Sequence, residues 1–181
     1  RSNSNKLRVP AARNPQPRSI CTTTEVTMIY IAHRGNTDGP KPELENSPEY
    51  IDKALSEGFY AEIDVRKGNM LGEFIMGHDY GEYKLPIEWF EERKGLLFIH
   101  AKDLETYSYF TGQAGFNVFW HQKDDYTLTS AGQIWAYPGS TLNEKTICVM
   151  PENVLYSRVD LSRCFGICSD FVLNYRYEFG T

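Results

Sequence analysis

Three short stretches of this chain hold residue types that can act together on a charged substrate: His33-Arg34-Gly35, Glu62-Ile63-Asp64 and His78-Asp79. On an extended strand, residues two apart point to the same face, so Glu62 and Asp64 project together while Ile63 faces the other way. Two carboxylates crowded in this manner repel unless a cation lies between them. Hard divalent ions such as Mg²⁺ and Ca²⁺ take oxygen ligands of this kind. Arg34 offers a two-pronged fork for a phosphate, and Gly35 lets the backbone turn beside it. His33 and His78 supply the side chain best suited to moving protons near neutral pH. An E-x-D pair alone is common on exposed edge strands, and a lone histidine is usually a surface residue. Their meaning comes from being expected together at strand C-terminal ends, where parallel sheets carry their functional loops.

The elements that must position them are short apolar runs alternating with helical stretches. Strands are expected over 28–32, 60–65, 96–102, 116–121, 133–137, 147–150 and 166–169. Ser47-Pro48-Glu49 reads as a helix start, with a serine cap, proline at the first helical position and an acid in the first turn. Ile51, Ala54, Leu55 and Phe59 follow at helical spacing, and Gly58 marks the end. Further helices are expected over 86–93, 103–113 (capped by Asp103) and 151–162, with loop and hairpin over 66–83. The first strand, helix and second strand make a β-α-β unit, hence a parallel pair with a right-handed crossover.

This alternation predicts an α/β fold, an open parallel sheet or a barrel. A full eightfold barrel takes about 200 residues or more, whereas 154 follow Thr27. The expectation is therefore a reduced TIM-like (β/α) barrel with several helices shortened or missing. Residues 1–27, polar and basic with no period, read as a disordered extension or fusion leader, or else a native arm. Residues 28–181 read as the working domain.

Composition narrows the partners. Of 19 Lys and Arg, five (Arg1, Lys6, Arg8, Arg13, Arg18) lie in residues 1–27, against Glu25 as the one acid there among 24 in the chain. The body is left with 14 basic and 23 acidic residues, a net charge of −9. Such a body repels polyanions, which argues against nucleic acid as the main partner. No apolar run approaches the roughly 18 residues of a membrane span, so no stable membrane insertion is expected. Cys21, Cys148, Cys164 and Cys168 form no disulfide framework for a chain this size. The body cysteines read as core residues in a reducing, cytoplasmic setting. A homodimer would be one way to cover edges exposed by a trimmed barrel.

In sequence and spacing, IAHRGN, ENSPEYIDKALSEGF, AEIDV and GHD resemble the glycerophosphodiester phosphodiesterase family. The specific match covers 29–79, and a weaker one continues through IHAKD and GICSDF. The resemblance implies a metal-dependent hydrolase of small phosphodiesters. His33 and His78 match the family's acid–base histidines, and Arg34 matches its phosphate-binding arginine. Glu62 and Asp64 match metal ligands, Glu45 matches a glutamate bordering the metal, and Lys102 matches a lysine facing the phosphate. The expected cofactor is one divalent ion, Mg²⁺, Mn²⁺ or Ca²⁺.

One departure changes the metal chemistry. Where the family has Glu-x-Lys, this chain has His100-Ala101-Lys102. His100 shares a face with Lys102, and a neutral imidazole suits Mn, Co, Zn or Fe better than Ca²⁺. Alternatively, His100 serves only as a hydrogen-bonding residue. His121, Asp125, Trp120 and Glu152 form a second tier at expected strand ends. Competing functions are a phospholipase D-like lipid phosphodiesterase, which resembles the same histidine and E-x-D pattern, and a non-catalytic phosphoester-binding module.

Overall fold

The fold of residues 27–180 is described by a computed structural model. The expected leader at 1–27 therefore lies outside the described residues except for Thr27. In chain order the elements are β1 (Ile29–His33), α1 (Pro48–Ser56), β2 (Tyr60–Lys67), β3 (Glu73–Met76), β4 (Tyr83–Pro86) and α2 (Ile87–Glu92). There follow β5 (Leu97–Ala101), α3 (Leu104–Thr111), β6 (Asn117–Phe119), β7 (Tyr126–Leu128) and β8 (Ile134–Ala136). The chain ends with β9 (Thr146–Val149), a 3-10 turn (Pro151–Asn153), α4 (Arg158–Leu161), β10 (Gly166–Ser169) and α5 (Val172–Phe179).

Local signals act as their chemistry requires. Ser47 Oγ accepts the Tyr50 N–H at 3.3 Å and starts α1. Asp103 Oδ1 accepts the Thr106 N–H at 2.7 Å and starts α3. Each caps backbone donors that the first helical turn leaves without partners. Each of the seven expected strands forms, and their pairings with one another are all parallel: β1 with β2 and β10, β2 with β5, β5 with β6, β10 with β9, and β9 with β8.

The architecture corrects the barrel expectation. The sheet is a mixed, ten-stranded one curled into a half-barrel, and it is not a TIM barrel. Strands β3 and β4 add an antiparallel hairpin to β2, and β7 runs antiparallel on β8. Among the described residues there are five helices, too few to wrap the strands. The chain passes from β8 to β9 through residues 137–145 without a helix. The helix expected over 151–162 is broken as well: Met150 takes a left-handed backbone (φ 46°) and Val154 is extended. What remains is a 3-10 turn and the short α4.

Among the described residues, β6 has a strand ladder on one edge only. Across the other edge, the Ser130 N–H donates to the Val118 carbonyl at 2.8 Å, and Ser130 Oγ accepts the Val118 N–H at 3.0 Å. Side chains complete the span toward β8: Phe119 stacks on Trp135 with ring centres 4.3 Å apart. Stacked aromatics and one serine thus stand where a further strand pairing would be.

Strand alternation separates two kinds of interior. Ile63 and Val65 of β2 and Ile99 of β5 face outward, packing with Ile51, Phe74, Phe90 and Phe110 from α1, β3, α2 and α3. Ile31, Phe98, Phe119, Trp135, Ile147 and Cys168 face inward and fill the curl. Full burial of each large apolar side chain is worth about 1.5–3 kcal/mol. Inward positions nearer the strand C-termini are polar, and these make the site.

Candidate functional site

The first strand ends in a tight turn that aims three side chains. The Arg34 N–H donates to the Glu62 carbonyl at 3.0 Å, and the Asn36 N–H to the His33 carbonyl at 2.9 Å. Arg34 (φ 52°) and Asn46 (φ 60°) both adopt the left-handed backbone, and the Asn46 N–H donates to the Arg34 carbonyl at 3.1 Å. Such conformations cost energy for residues other than glycine and persist where surrounding contacts enforce them. Gly35 has φ +90°, and a Cβ there would stand 2.8 Å from the Tyr50 ring. Only glycine meets both conditions.

Glu62 and Asp64 lie side by side on the concave face, 2% and 1% exposed. Register sets Asp64 beside His100 and His33 beside Glu62. His100 Nδ1 is 3.1 Å from Asp64 Oδ1 and 3.7 Å from Glu62 Oε1. One ligand atom from each of Glu62, Asp64 and His100 falls within 4.8 Å of the others. His100 Nε2 lies 3.2 Å from the His121 carbonyl, to which it must donate. Nδ1 therefore faces the two carboxylates, donating to Asp64 when it carries a proton and offering its lone pair beside them to a shared cation when it does not. These residues fit a divalent metal, with one imidazole nitrogen and carboxylate oxygens as the donor set.

Cations of the chain itself surround Asp64. Lys102 Nζ donates to Oδ1 at 3.2 Å, and Arg34 Nε sits 3.0 Å from Oδ2 without hydrogen-bond alignment. Asn46 Nδ2 donates to the same Oδ2 at 3.2 Å, and Asn46 Oδ1 accepts the Asp64 N–H at 2.9 Å. Arg34 Nη1 donates to Glu45 Oε2 at 3.1 Å, so Glu45 borders the site through Arg34.

A second network holds His33. Its Nδ1 lies 2.8 Å from Asp170 Oδ1, which also accepts from Asn36 Nδ2 at 2.8 Å. Glu152 accepts from Ser169 Oγ at 2.9 Å and from the Asp170 N–H at 3.1 Å, fixing the end of β10. His33 Nε2, 3.9 Å from Glu62 Oε2, is left facing the carboxylate cluster.

These contacts set the charges. Burial pushes Glu62 upward, and the Asp64 charge adds to it, with His33, His100 and Arg34 only partly offsetting the rise. Burial also opposes ionisation of Asp64, but the His100 hydrogen bond and the charges of Arg34 and Lys102 outweigh it and hold Asp64 well below the usual range. His33 is raised: burial works against its proton, and the Asp170 hydrogen bond with the Glu62 charge more than compensates. Burial opposes the Asp170 charge too, yet His33 and Asn36 keep that carboxyl low. Neighbouring acids are thereby driven apart, the pattern that assigns distinct roles within one site.

The structure brings together His33, Arg34, Glu45, Glu62, Asp64, His100 and Lys102. His78 is placed differently. The Gly77 N–H donates to the Asp64 carbonyl at 3.1 Å, so the His78 loop starts at the site. The His78 side chain, however, is 44% exposed and pairs with Asp79 at 2.7 Å. Of the second tier, His121 is buried, with its ring stacked on Tyr137 at 3.6 Å, and its carbonyl orients His100. Burial lowers its pKa. Glu152 supports Asp170. Trp120 sets its ring edge-on to Tyr107, and its carbonyl accepts from Thr127. Asp125 is exposed and contributes its carbonyl to Tyr137 and Ser140.

Sequence reading assigned no role to Asp170, Asn36 or Asn46. Asp170 was within reach, because Ser169-Asp170 closes the last parallel strand on the inward side. Asn36 and Asn46 act through turns whose geometry no spacing rule specifies. A cavity of about 450 Å³, lined by Ile29, Tyr60, Phe98, Phe116, Asn117 and Phe165 among others, opens at the opposite, N-terminal end of the strands. No helix among the described residues is long and apolar enough to cross a membrane. No protein-family model, curated protein or solved structure matches this chain.

Proposed function

We propose that this chain is a metal-dependent phosphodiesterase acting on glycerophosphodiester-type or related small diesters. The observation that carries the reading is the convergence of an Asp170-held His33, two side-chain cations and the Glu62–Asp64–His100 cluster at one end of the parallel strands. A divalent ion on Glu62, Asp64 and His100 would supply Lewis-acid withdrawal of charge from phosphorus. Arg34 and Lys102 hold the remaining oxygens and stabilise charge that builds in the transition state.

Asp170, an acceptor when ionised, fixes the His33 proton on Nδ1 and leaves Nε2 to exchange a proton with substrate. The raised pKa of His33 suits the acid that protonates the leaving alkoxide. His78, steadied by Asp79, is the base that takes a proton from the attacking water or from a neighbouring substrate hydroxyl, which would give a cyclic ester. Each proton transfer contributes about 10²–10⁴ in rate.

The test is hydrolysis of an aryl phosphodiester after chelation, with Mg²⁺, Ca²⁺, Mn²⁺, Zn²⁺ and Co²⁺ restored in turn. Turnover that returns with a metal and is lost in His33→Ala supports the hydrolase. A second reading, a phosphoester-binding module, is favoured by the exposed His78, whose ring hydrogen-bonds Asp79 and no residue of the cluster among the described residues. Metal and phosphate binding without turnover would select it.

A further inference from the structure

The groups assigned to the phosphate are directed inward in this structure. Lys102 Nζ and Arg34 Nε lie 3.2 Å and 3.0 Å from the two oxygens of Asp64, a carboxylate whose side chain is 1% exposed. An anion that drew them away would leave Asp64 buried without its cations, which is strongly unfavourable. A divalent cation entering at Glu62, Asp64 and His100 meets the reverse difficulty, since Arg34 and Lys102 already hold those charges and repel it. Each ligand removes the obstacle to the other.

We propose that the divalent cation and the phosphoester bind with positive coupling, through the exchange of Lys102 and Arg34 from Asp64 to the anion. The inference rests on the phosphodiesterase reading of the site. Cation uptake satisfies Glu62 and Asp64 and frees the two basic side chains, which then grip the phosphate. The cation alone adds two positive charges to the cluster and the diester alone adds one negative charge, whereas together they add a single positive one. Because such coupling is a property of one thermodynamic cycle, each ligand strengthens the other by the same factor.

The two cations contribute unequally. Arg34 keeps a second partner, Glu45, itself held by Asn36 at 2.8 Å. Among the described residues Lys102 has Asp64 as its ion-pair partner. Lys102 therefore exchanges completely and carries most of the coupling.

The test titrates Mn²⁺ into the full chain by calorimetry, with and without saturating diethyl phosphate, whose integrity after each titration is checked by phosphorus NMR. Mn²⁺ should bind about 10-fold or more tightly with the diester present, within the usual range for coupled sites. Lys102→Met should bind Mn²⁺ more tightly than wild type when no diester is present, and it should lose most of the enhancement. Lys102→Gln, with a melting curve for each variant, guards against a folding defect in the first substitution. Independent binding of the two ligands, or unchanged Mn²⁺ affinity in folded Lys102 variants, overturns the coupling and leaves the phosphodiesterase reading standing. Failure of Mn²⁺ and diester to bind at all overturns both.

Discussion

Asp170 Oδ1 lies 2.8 Å from His33 Nδ1, tying the end of β10 to the end of β1. The two groups shift in opposite directions, so their joint contribution to stability has a window. His33 is raised above 6.5, so its share is fully present below that value and is lost as pH climbs through the raised one. Asp170 is lowered below 3.8, so its share is present above that value and is lost as pH falls through the depressed one. The stability gap between wild type and Asp170→Asn should be widest between pH 3.8 and 6.5, at about 1–3 kcal/mol. Melting curves across pH check this, and a gap that grew steadily above pH 8 would contradict it.

Glu62 and Asp64 should respond in opposite senses when neutralised. Ionised Glu62 is disfavoured by burial beside Asp64, so its raised pKa makes it a cost that appears as pH rises through the ordinary carboxylate range. Without metal at pH 7, Glu62→Gln should raise Tm, in keeping with about 1 kcal/mol released at a strained functional position. Asp64→Asn should lower stability by about 3 kcal/mol or more, because buried cations lose their counter-charge. Thermal shift on both variants, with Mn²⁺ expected to stabilise wild type and not Glu62→Gln, decides the matter.

His78 offers a clean separation of stability from activity. Its side chain is 44% exposed, and an exposed residue of this kind contributes within about 0.5 kcal/mol. His78→Ala should melt with wild type yet lose about 10²–10⁴ in kcat if the ring acts as a base. Full activity in this variant would remove His78 from the chemistry.

The three described cysteines should be silent toward alkylation in the folded state. Burial raises Cys148 and Cys168 well above the usual thiol range and Cys164 to about 11, so thiolate is scarce at pH 8. Mass mapping after iodoacetamide should show modification at these positions only once denaturant is added.

The inward positions were legible because strand periodicity is rigid. Once 60–65 reads as a strand with Ile63 buried outward, Glu62 and Asp64 have no other face to occupy, and the same holds for His100 and Lys102. Ser47, Pro48 and Asp103 announced their helices through backbone donors that only particular side chains satisfy. The global curl was not legible. Alternating strands and helices suggest a reduced barrel, and nothing local reveals that the sheet stays a half-barrel with antiparallel strands added, or that Ser130 stands in for strand pairing beside β6. Strand β7 and helix α5 also went unseen, since Tyr126–Leu128 is short and mostly exposed and α5 buries only Val172. The site partners that were missed, Asn36 and Asn46, depend on left-handed turns and on contacts between segments distant in sequence.

Pairing of β1 with β10 has a kinetic corollary. His33 and its carboxylate partner stand 137 positions apart along the polypeptide, and β1 acquires its neighbour on that edge only when β10 docks. Closure over so long a loop makes for slow, non-local folding. The His33–Asp170 contact should accordingly form late, behind recovery of bulk secondary structure during refolding.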